Sequence, residues 1–263
     1  MNIFEALFRL LFGRRRSEEP SSPPPPPPPT RPPAPPPPVT PPPVTPPAPP
    51  PVTPPPPPPP SGDYLSTLVV QDRSPLTRGD FERVAAEIGC EWEAIAAVAQ
   101  VESGPLGGFG ADGRPIILYE RHLFSRKTSR RYDASHPQIS SRTSGGYPGS
   151  QSGRWAQLAE AYSLDPEAAL QSASYGLFQV LGQNYTDLGM PNAHAYVSKL
   201  ARSERDQLDA FVGFIRANNL SDELRDRRWA DFARRYNGPE YERFQYDTKM
   251  ANAYDRIKNS GSV

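Results

Sequence analysis

Glu102 stands where a carboxyl group could act as an acid. It continues the spacing of Trp92, Ile95 and Ala99, which predicts the apolar stripe of a single helix. Burial and the negative end of the helix dipole would both raise the pKa of a carboxyl group at that position. A carboxylic acid that stays protonated near neutral pH can serve as a general acid. The alternatives are a glutamate paired with a buried arginine and an exposed glutamate at the helix end.

Glu120 is the second candidate carboxyl group. It ends an apolar run, and alternation along a strand would put it on the same side as Ile116 and Leu118. Arg121 and His122 follow directly and could hold it. Two carboxylates that flank a bond are the usual equipment of glycoside hydrolysis. An ordinary salt bridge is the alternative.

Two later segments combine polar and aromatic residues near a helix end or a glycine. In the segment SASYGLFQ, Gly176 would let the backbone approach a ligand closely. An aromatic ring followed by an amide, as in Tyr-Asn-Gly-Pro, suits a sugar, which offers a flat apolar face and hydroxyl groups. Taken singly, each is more often a helix terminus than a site. The candidates for sugar contacts are Ser174, Gln179, Tyr236 and Asn237.

The sequence gives no support for metal binding, nucleotide binding or catalysis by a serine nucleophile. The three histidines, His122, His136 and His194, lack metal-ligand spacing, and no glycine-rich nucleotide motif or nucleophile-elbow motif is present. The single cysteine, Cys90, excludes an intrachain disulfide. Lys+Arg and Asp+Glu balance at 29 each, so charge gives no reason to expect nucleic acid as a partner. We therefore expect no metal and no cofactor.

The elements that must hold these residues are mostly helices. Thr77 is a suitable N-cap with Asp80 three residues later, and Gly89 would end that helix. The segment 115–120 predicts a strand, and the polar segment 125–152 predicts a long surface loop. Further helices are predicted at 91–103, 154–162, 166–173, 193–202, 203–218, 221–227, 229–236 and 241–258. The prediction is a mostly α, single globular domain with a small β element.

Proline divides the chain. Of its 37 prolines, 29 lie between Pro20 and Pro60, where a helix interior or a central strand cannot form. We predict three parts: an amphipathic, basic segment at 1–16, a disordered proline-rich linker at 17–62, and a folded domain at 63–263. The linker favours extended polyproline II structure and would act as a spacer.

The N-terminal segment Ile3–Phe12 is apolar on one side and precedes three arginines, Arg14–Arg16. It is too short to span a bilayer, and the order of basic and apolar residues is not that of a cleavable signal peptide. An amphipathic helix that lies on a membrane surface fits the pattern. Docking to a protein partner and a frayed tail without a role are the alternatives.

Several motifs in one order resemble a known family. They are Glu102–Gly104, Gly113–His122, Ser174–Gln179, Asn184-Tyr185 and Phe232–Pro239. Together, over about Leu76 to Lys258, they resemble the N-acetylmuramidase domain of phage-type endolysins. The shorter pattern Glu-Ser, Gly-Leu-x-Gln and Tyr-Asn-Gly is also similar to goose-type lysozymes and lytic transglycosylases.

The resemblance implies a lysozyme-like fold and cleavage of the MurNAc–GlcNAc β-1,4 bond of peptidoglycan. Glu102 corresponds to the general acid, and Glu120 to a second carboxylate or a group that positions water or substrate. Tyr175 stands where the family pattern has tryptophan and would be an aromatic platform for the sugar.

Three other functions remain open. They are a lytic transglycosylase, which needs a single glutamate, a non-catalytic peptidoglycan-binding module, and an adaptor that works through the proline tract. The expected partner is the peptidoglycan glycan strand, and we expect a monomer that acts at the cell wall or in the periplasm. The route out of the cytoplasm could be release through a holin, injection by a contractile secretion machine, or tethering by Ile3–Phe12.

Overall fold

A computed structural model describes residues 64–104, 107–238 and 241–261. The predicted amphipathic segment at 1–16 and the predicted proline-rich linker at 17–62 lie outside the described residues. The described residues fold as one mostly helical domain with a small sheet, as predicted.

The helices account for most of the described chain. In order they are α1 (Arg78–Ile88), α2 (Trp92–Ser103), α3 (Arg121–Lys127), α4 (Gln151–Leu164), α5 (Pro166–Gln171), α6 (Ala193–Leu200), α7 (Glu204–Ala217), α8 (Ser221–Arg225), α9 (Trp229–Tyr236) and α10 (Tyr246–Ser260). Short 3-10 helices cover Tyr64–Thr67, Gly182–Leu188 and Tyr241–Phe244.

The caps of α1 confirm the predicted local signals. The Thr77 hydroxyl accepts a hydrogen bond from the Asp80 backbone N–H, and the Asp80 carboxylate accepts one from the Thr77 backbone N–H. This capping box satisfies backbone donors that the first helical turn leaves free. Gly89 ends the helix with a φ of 79°, a left-handed conformation that glycine adopts without a steric penalty.

The sheet is larger than the single predicted strand. Strand β1 (Ile117–Tyr119) pairs antiparallel with β2 (Ala173–Tyr175), which pairs antiparallel with β3 (Val180–Leu181). The two additional strands come from the SASYGLFQ segment and the residues after it. Sequence spacing did not indicate them because each strand is only two or three residues long and depends on a partner far away in the chain.

Helix α2 lies at the centre of the domain and packs against α1 and α10. Most of its residues are buried, and four of them are alanines that let neighbouring helices approach closely, namely Ala94, Ala96, Ala97 and Ala99. Because α2 is enclosed along most of its length, a polar side chain in its last turn is also held inside the protein.

Two predicted segments differ from the structure. Gln245, with a φ of 57°, separates a 3-10 helix from α10, so the helix predicted at 241–258 is two elements. The predicted loop at 125–152 begins inside α3 and ends inside α4. Its middle is anchored, since Ile139 is fully buried and its carbonyl accepts a hydrogen bond from the Tyr119 hydroxyl.

Candidate active site

Glu102 and Asn237 meet inside the protein. Glu102 lies in the last turn of α2 and is 2% exposed, and Asn237 follows α9 directly and is 5% exposed. The Asn237 side-chain amide donates a 2.8 Å hydrogen bond from Nδ2 to Oε1 of Glu102. The structure thus brings together two predicted site residues.

The environment of Glu102 favours its protonated form. Burial raises the pKa of Glu102 to about 7, because the charged form loses its hydration. The hydrogen bond from Asn237 and the positive charge of Lys249 act in the opposite direction but do not cancel the effect of burial. At neutral pH a large fraction of this carboxyl group therefore carries the proton that a general acid must donate.

Ser174 and Gln179 hold each other at the turn between β2 and β3. The Ser174 hydroxyl donates to Oε1 of Gln179 at 2.8 Å, and Nε2 of Gln179 donates to the Gly176 carbonyl at 2.7 Å and to the Ile116 carbonyl at 3.2 Å. Gln179 has a φ of 48°, a strained backbone for a side-chain residue. Its side chain is half-buried, whereas Ser174 is buried.

Neither Tyr175 nor Tyr236 presents a fully exposed ring on which a sugar could stack. Tyr175 is 1% exposed, and its hydroxyl donates to the Leu170 carbonyl at 3.0 Å. The expectation that its ring stacks on a sugar is therefore wrong for this structure. The half-buried Tyr236 stacks on Phe232 and donates from its hydroxyl to the Phe178 carbonyl at 2.8 Å. Tyr236 thereby fixes the end of α9, and with it Asn237, against the turn after β2.

Glu120 lies in a separate buried cluster. It is the N-cap of α3 and fully buried, so its predicted position on the strand with Ile116 and Leu118 is corrected. Its Oε2 accepts a 2.9 Å hydrogen bond from the Tyr147 hydroxyl and lies 3.1 Å from Nδ1 of His122.

Burial raises the pKa of Glu120 and lowers the pKa of His122 to about 4, so both groups favour their neutral forms. Among the described contacts, none joins Glu120 to Glu102 or Asn237. The role of Glu120 as a second carboxylate at the bond to be cleaved stays a prediction.

Sequence patterns missed two partners of these carboxyl groups. Tyr147 lies in the polar segment before α4, where no periodicity singles it out. Lys249 lies on α10, and its spacing with Asn252 and Arg256 is the signal that could have revealed a shared helix face. Within the described residues, no group of three His, Cys, Asp or Glu side chains could hold a metal ion.

The helical fold, the small sheet and a buried carboxyl group at a helix end are those of a lysozyme-like glycoside hydrolase. Residues 91–258 match the model of the N-acetylmuramidase family, and the chain belongs to that family. The domain is also similar to the crystal structure of Burkholderia AP3 phage endolysin, with 37% identity and a TM-score of 0.66 over 73% of this chain and 74% of that chain. A comparison with curated proteins finds no match.

Membership of this family makes the protein a peptidoglycan hydrolase that acts on the cell wall. Its polymeric partner is therefore peptidoglycan. In the part of the chain that the structure describes, no helix is long and apolar enough to cross a membrane.

Proposed function

We propose that the protein is an N-acetylmuramidase that cleaves the MurNAc–GlcNAc β-1,4 bond, with Glu102 as the general acid. Glu102 donates its proton to the glycosidic oxygen as the bond from that oxygen to C1 of MurNAc breaks. Water then adds to C1, which leaves a reducing MurNAc end. The observation that carries this proposal is the buried Glu102 carboxyl group, whose pKa is about 7 and which Asn237 orients.

Asn237 is suited to a second task. Its Oδ1 is buried and has no hydrogen-bond partner among the described residues, although its Nδ2 is engaged by Glu102. A buried acceptor without a partner is costly, and a sugar hydroxyl or a water molecule would satisfy it. We assign Asn237 a contact to the substrate, and Gln179 a second contact through its half-buried side chain. Ser174 and Tyr236 keep these two residues in position.

A lytic transglycosylase is the second candidate, and the burial of Glu120 favours it. In that reaction the 6-hydroxyl of MurNAc attacks C1, the glycosidic oxygen leaves with the proton from Glu102, and a 1,6-anhydro ring forms. One carboxyl group then protonates the leaving oxygen and later accepts the proton of the hydroxyl group. Such a mechanism needs no second carboxylate, which agrees with the enclosure of Glu120 by Tyr147 and His122.

Mass spectrometry of digested peptidoglycan separates the candidates. The full-length chain, its Glu102→Gln variant and the control Glu160→Gln, which alters an exposed carboxyl group, are incubated with purified sacculi. We expect reducing MurNAc ends from the wild type and the control, and a loss of about 10²- to 10⁴-fold in Glu102→Gln.

Anhydro-MurNAc ends would instead identify a transglycosylase. A wild type that binds sacculi and releases no products would support a non-catalytic binding module.

We further propose that the chain works as a monomer, since the residues assigned to the reaction all come from one domain. Docking of residues 3–16 to a membrane surface or to a protein partner lies outside the described residues. Deletion of Ile3–Phe12 followed by cell fractionation tests that docking. Size-exclusion chromatography with light scattering tests the monomer.

A further inference from the structure

A groove of about 220 Å³ lies between the end of α2 and the middle of α10. We call it the α2–α10 groove. Its lining residues are Gln100, Val101, Gly104, Lys249, Asn252 and Arg256. Val101 directly precedes Glu102, and Lys249 is close enough for its charge to act on the Glu102 carboxyl group. The groove therefore lies near the proposed reaction centre.

The lining carries two positive charges and no carboxylate. Lys249 is half-buried, and its ammonium lies 5.5 Å from the centre of the Tyr246 ring, a contact that holds the charge at the groove. Arg256 donates from Nη2 to Oε1 of Gln100 at 3.1 Å, which keeps its guanidinium against α2. Two positioned cations on one side of a groove create a site for anionic groups.

The spacing of the two cations suits an extended ligand. Lys249 and Arg256 lie seven residues apart on one face of α10, about 10 Å along the helix axis. Asn252 lies between them and offers both a donor and an acceptor, as Gln100 does on the opposite side. A neutral sugar needs no cation, whereas a peptide with carboxylates would use the charges and the amides together.

We infer that the α2–α10 groove binds the carboxylate-bearing stem peptide that MurNAc carries next to the bond that is cleaved. This inference rests on the proposed function, because it assigns part of the same substrate to a surface beside Glu102. Lys249 and Arg256 pair with the peptide carboxylates, and Asn252 and Gln100 bond to the peptide backbone. The groove thereby makes the enzyme prefer glycan strands that still carry their peptides.

The test compares two forms of the same sacculi. One form is intact, and the other has lost its stem peptides to an amidase, which leaves the glycan strand and the lactyl carboxylate in place. The full-length wild type is compared with Arg256→Ala and with the control Lys258→Ala. Lys258 lies on the same helix but pairs with Glu91 and Glu93 outside the groove, so the control makes the same change of charge.

We expect Arg256→Ala to raise the apparent KM for intact sacculi about tenfold, with kcat unchanged, and to leave the KM for stripped sacculi as in the wild type. Lys258→Ala should match the wild type on both. Equal effects of Arg256→Ala on both substrates, or no effect on either, would overturn the inference.

Co-sedimentation with sacculi keeps this test separate from the proposed function, because it needs no catalysis. In the Glu102→Gln background, Arg256→Ala should weaken binding to intact sacculi only. If the wild type cleaves neither substrate, the proposed function fails, and the binding difference still decides the role of the groove. Thermal unfolding of each variant checks that the fold is retained.

Discussion

Asn237 and Glu102 are 135 residues apart in the sequence and share a 2.8 Å hydrogen bond in the protein interior. The bond connects the end of α9 to the end of α2. It affects both the orientation and the pKa of the Glu102 carboxyl group. It orients the carboxyl group, which helps proton transfer, and it lowers the pKa of Glu102, which burial raises. The pKa of about 7 is the balance of these effects.

Asn237→Ala should raise the pKa of Glu102 further, because it removes a hydrogen bond that stabilises the charged form. In a plot of kcat against pH, the alkaline limb should move to higher pH by about one unit or less. The maximal kcat should fall about tenfold, because the carboxyl group is less well oriented. Turbidity assays of sacculi between pH 5 and 9 measure both effects. Asn218→Ala is the control, since its amide is exposed and bonds only within α7 and its cap. An alkaline limb that moves to lower pH would contradict the claim that the Asn237 hydrogen bond lowers the pKa of Glu102.

Glu102→Gln should make the protein more stable at alkaline pH while it abolishes activity. The folded wild type keeps the Glu102 proton up to about pH 7, whereas the unfolded chain releases it near the ordinary value of 4.5. The stability linked to this proton is therefore complete below pH 4.5 and is lost as the pH rises through 7. Glutamine does not ionise and avoids this loss.

The variant should exceed the wild type by about 3 kcal/mol at pH 8 and equal it at pH 4. Urea unfolding at both pH values measures the difference, with Glu160→Gln as the control. A difference that is the same at pH 4 and pH 8 would show that burial does not raise the pKa of Glu102.

Glu120→Gln should retain kcat within about threefold, because glutamine copies the neutral form that burial favours in this cluster. Glu120→Ala should instead lower stability by about 2–4 kcal/mol, since it leaves the Tyr147 hydroxyl without its acceptor and opens a cavity. Digestion assays and thermal unfolding of both variants separate the two effects. If Glu120→Gln unfolds like the wild type but loses activity, Glu120 acts in the reaction after all.

Gly176→Ala should destabilise the site turn strongly. Gly176 has a φ of 70°, and a Cβ atom there would lie 2.2 Å from the Gln207 carboxamide carbon. Gln207 cannot move freely, because it is buried and accepts a 2.7 Å hydrogen bond from the Leu177 backbone N–H. We expect a loss of about 3 kcal/mol, or about 10 °C in Tm.

Gly89→Ala is the matched control, because Gly89 has a φ of 79° and open space at its Cβ position. It should cost about 1 kcal/mol through backbone strain alone. Equal losses in the two variants would mean that Gln207 can make room for the methyl group.

Local signals in the sequence determined much of the helical framework. The Thr77–Asp80 capping box and the glycine at the end of α1 act over three or four residues, so their effect does not depend on distant packing. The apolar spacing that ends at Glu102 likewise predicted a carboxyl group on the buried side of a helix, which the structure confirms. The order of the motifs was enough to indicate the N-acetylmuramidase family.

Only the tertiary structure decided which of the polar residues meet. Strand alternation suggested that Glu120 lies beside apolar surface, but the chain turns into α3 at that residue and encloses it with Tyr147. Tyr175 was expected to be an aromatic platform because its type and motif suit a sugar, yet its ring is buried and its hydroxyl donates to the Leu170 carbonyl. Periodicity and caps report on neighbours within a few residues, whereas burial and the contact between Glu102 and Asn237 depend on how distant elements pack.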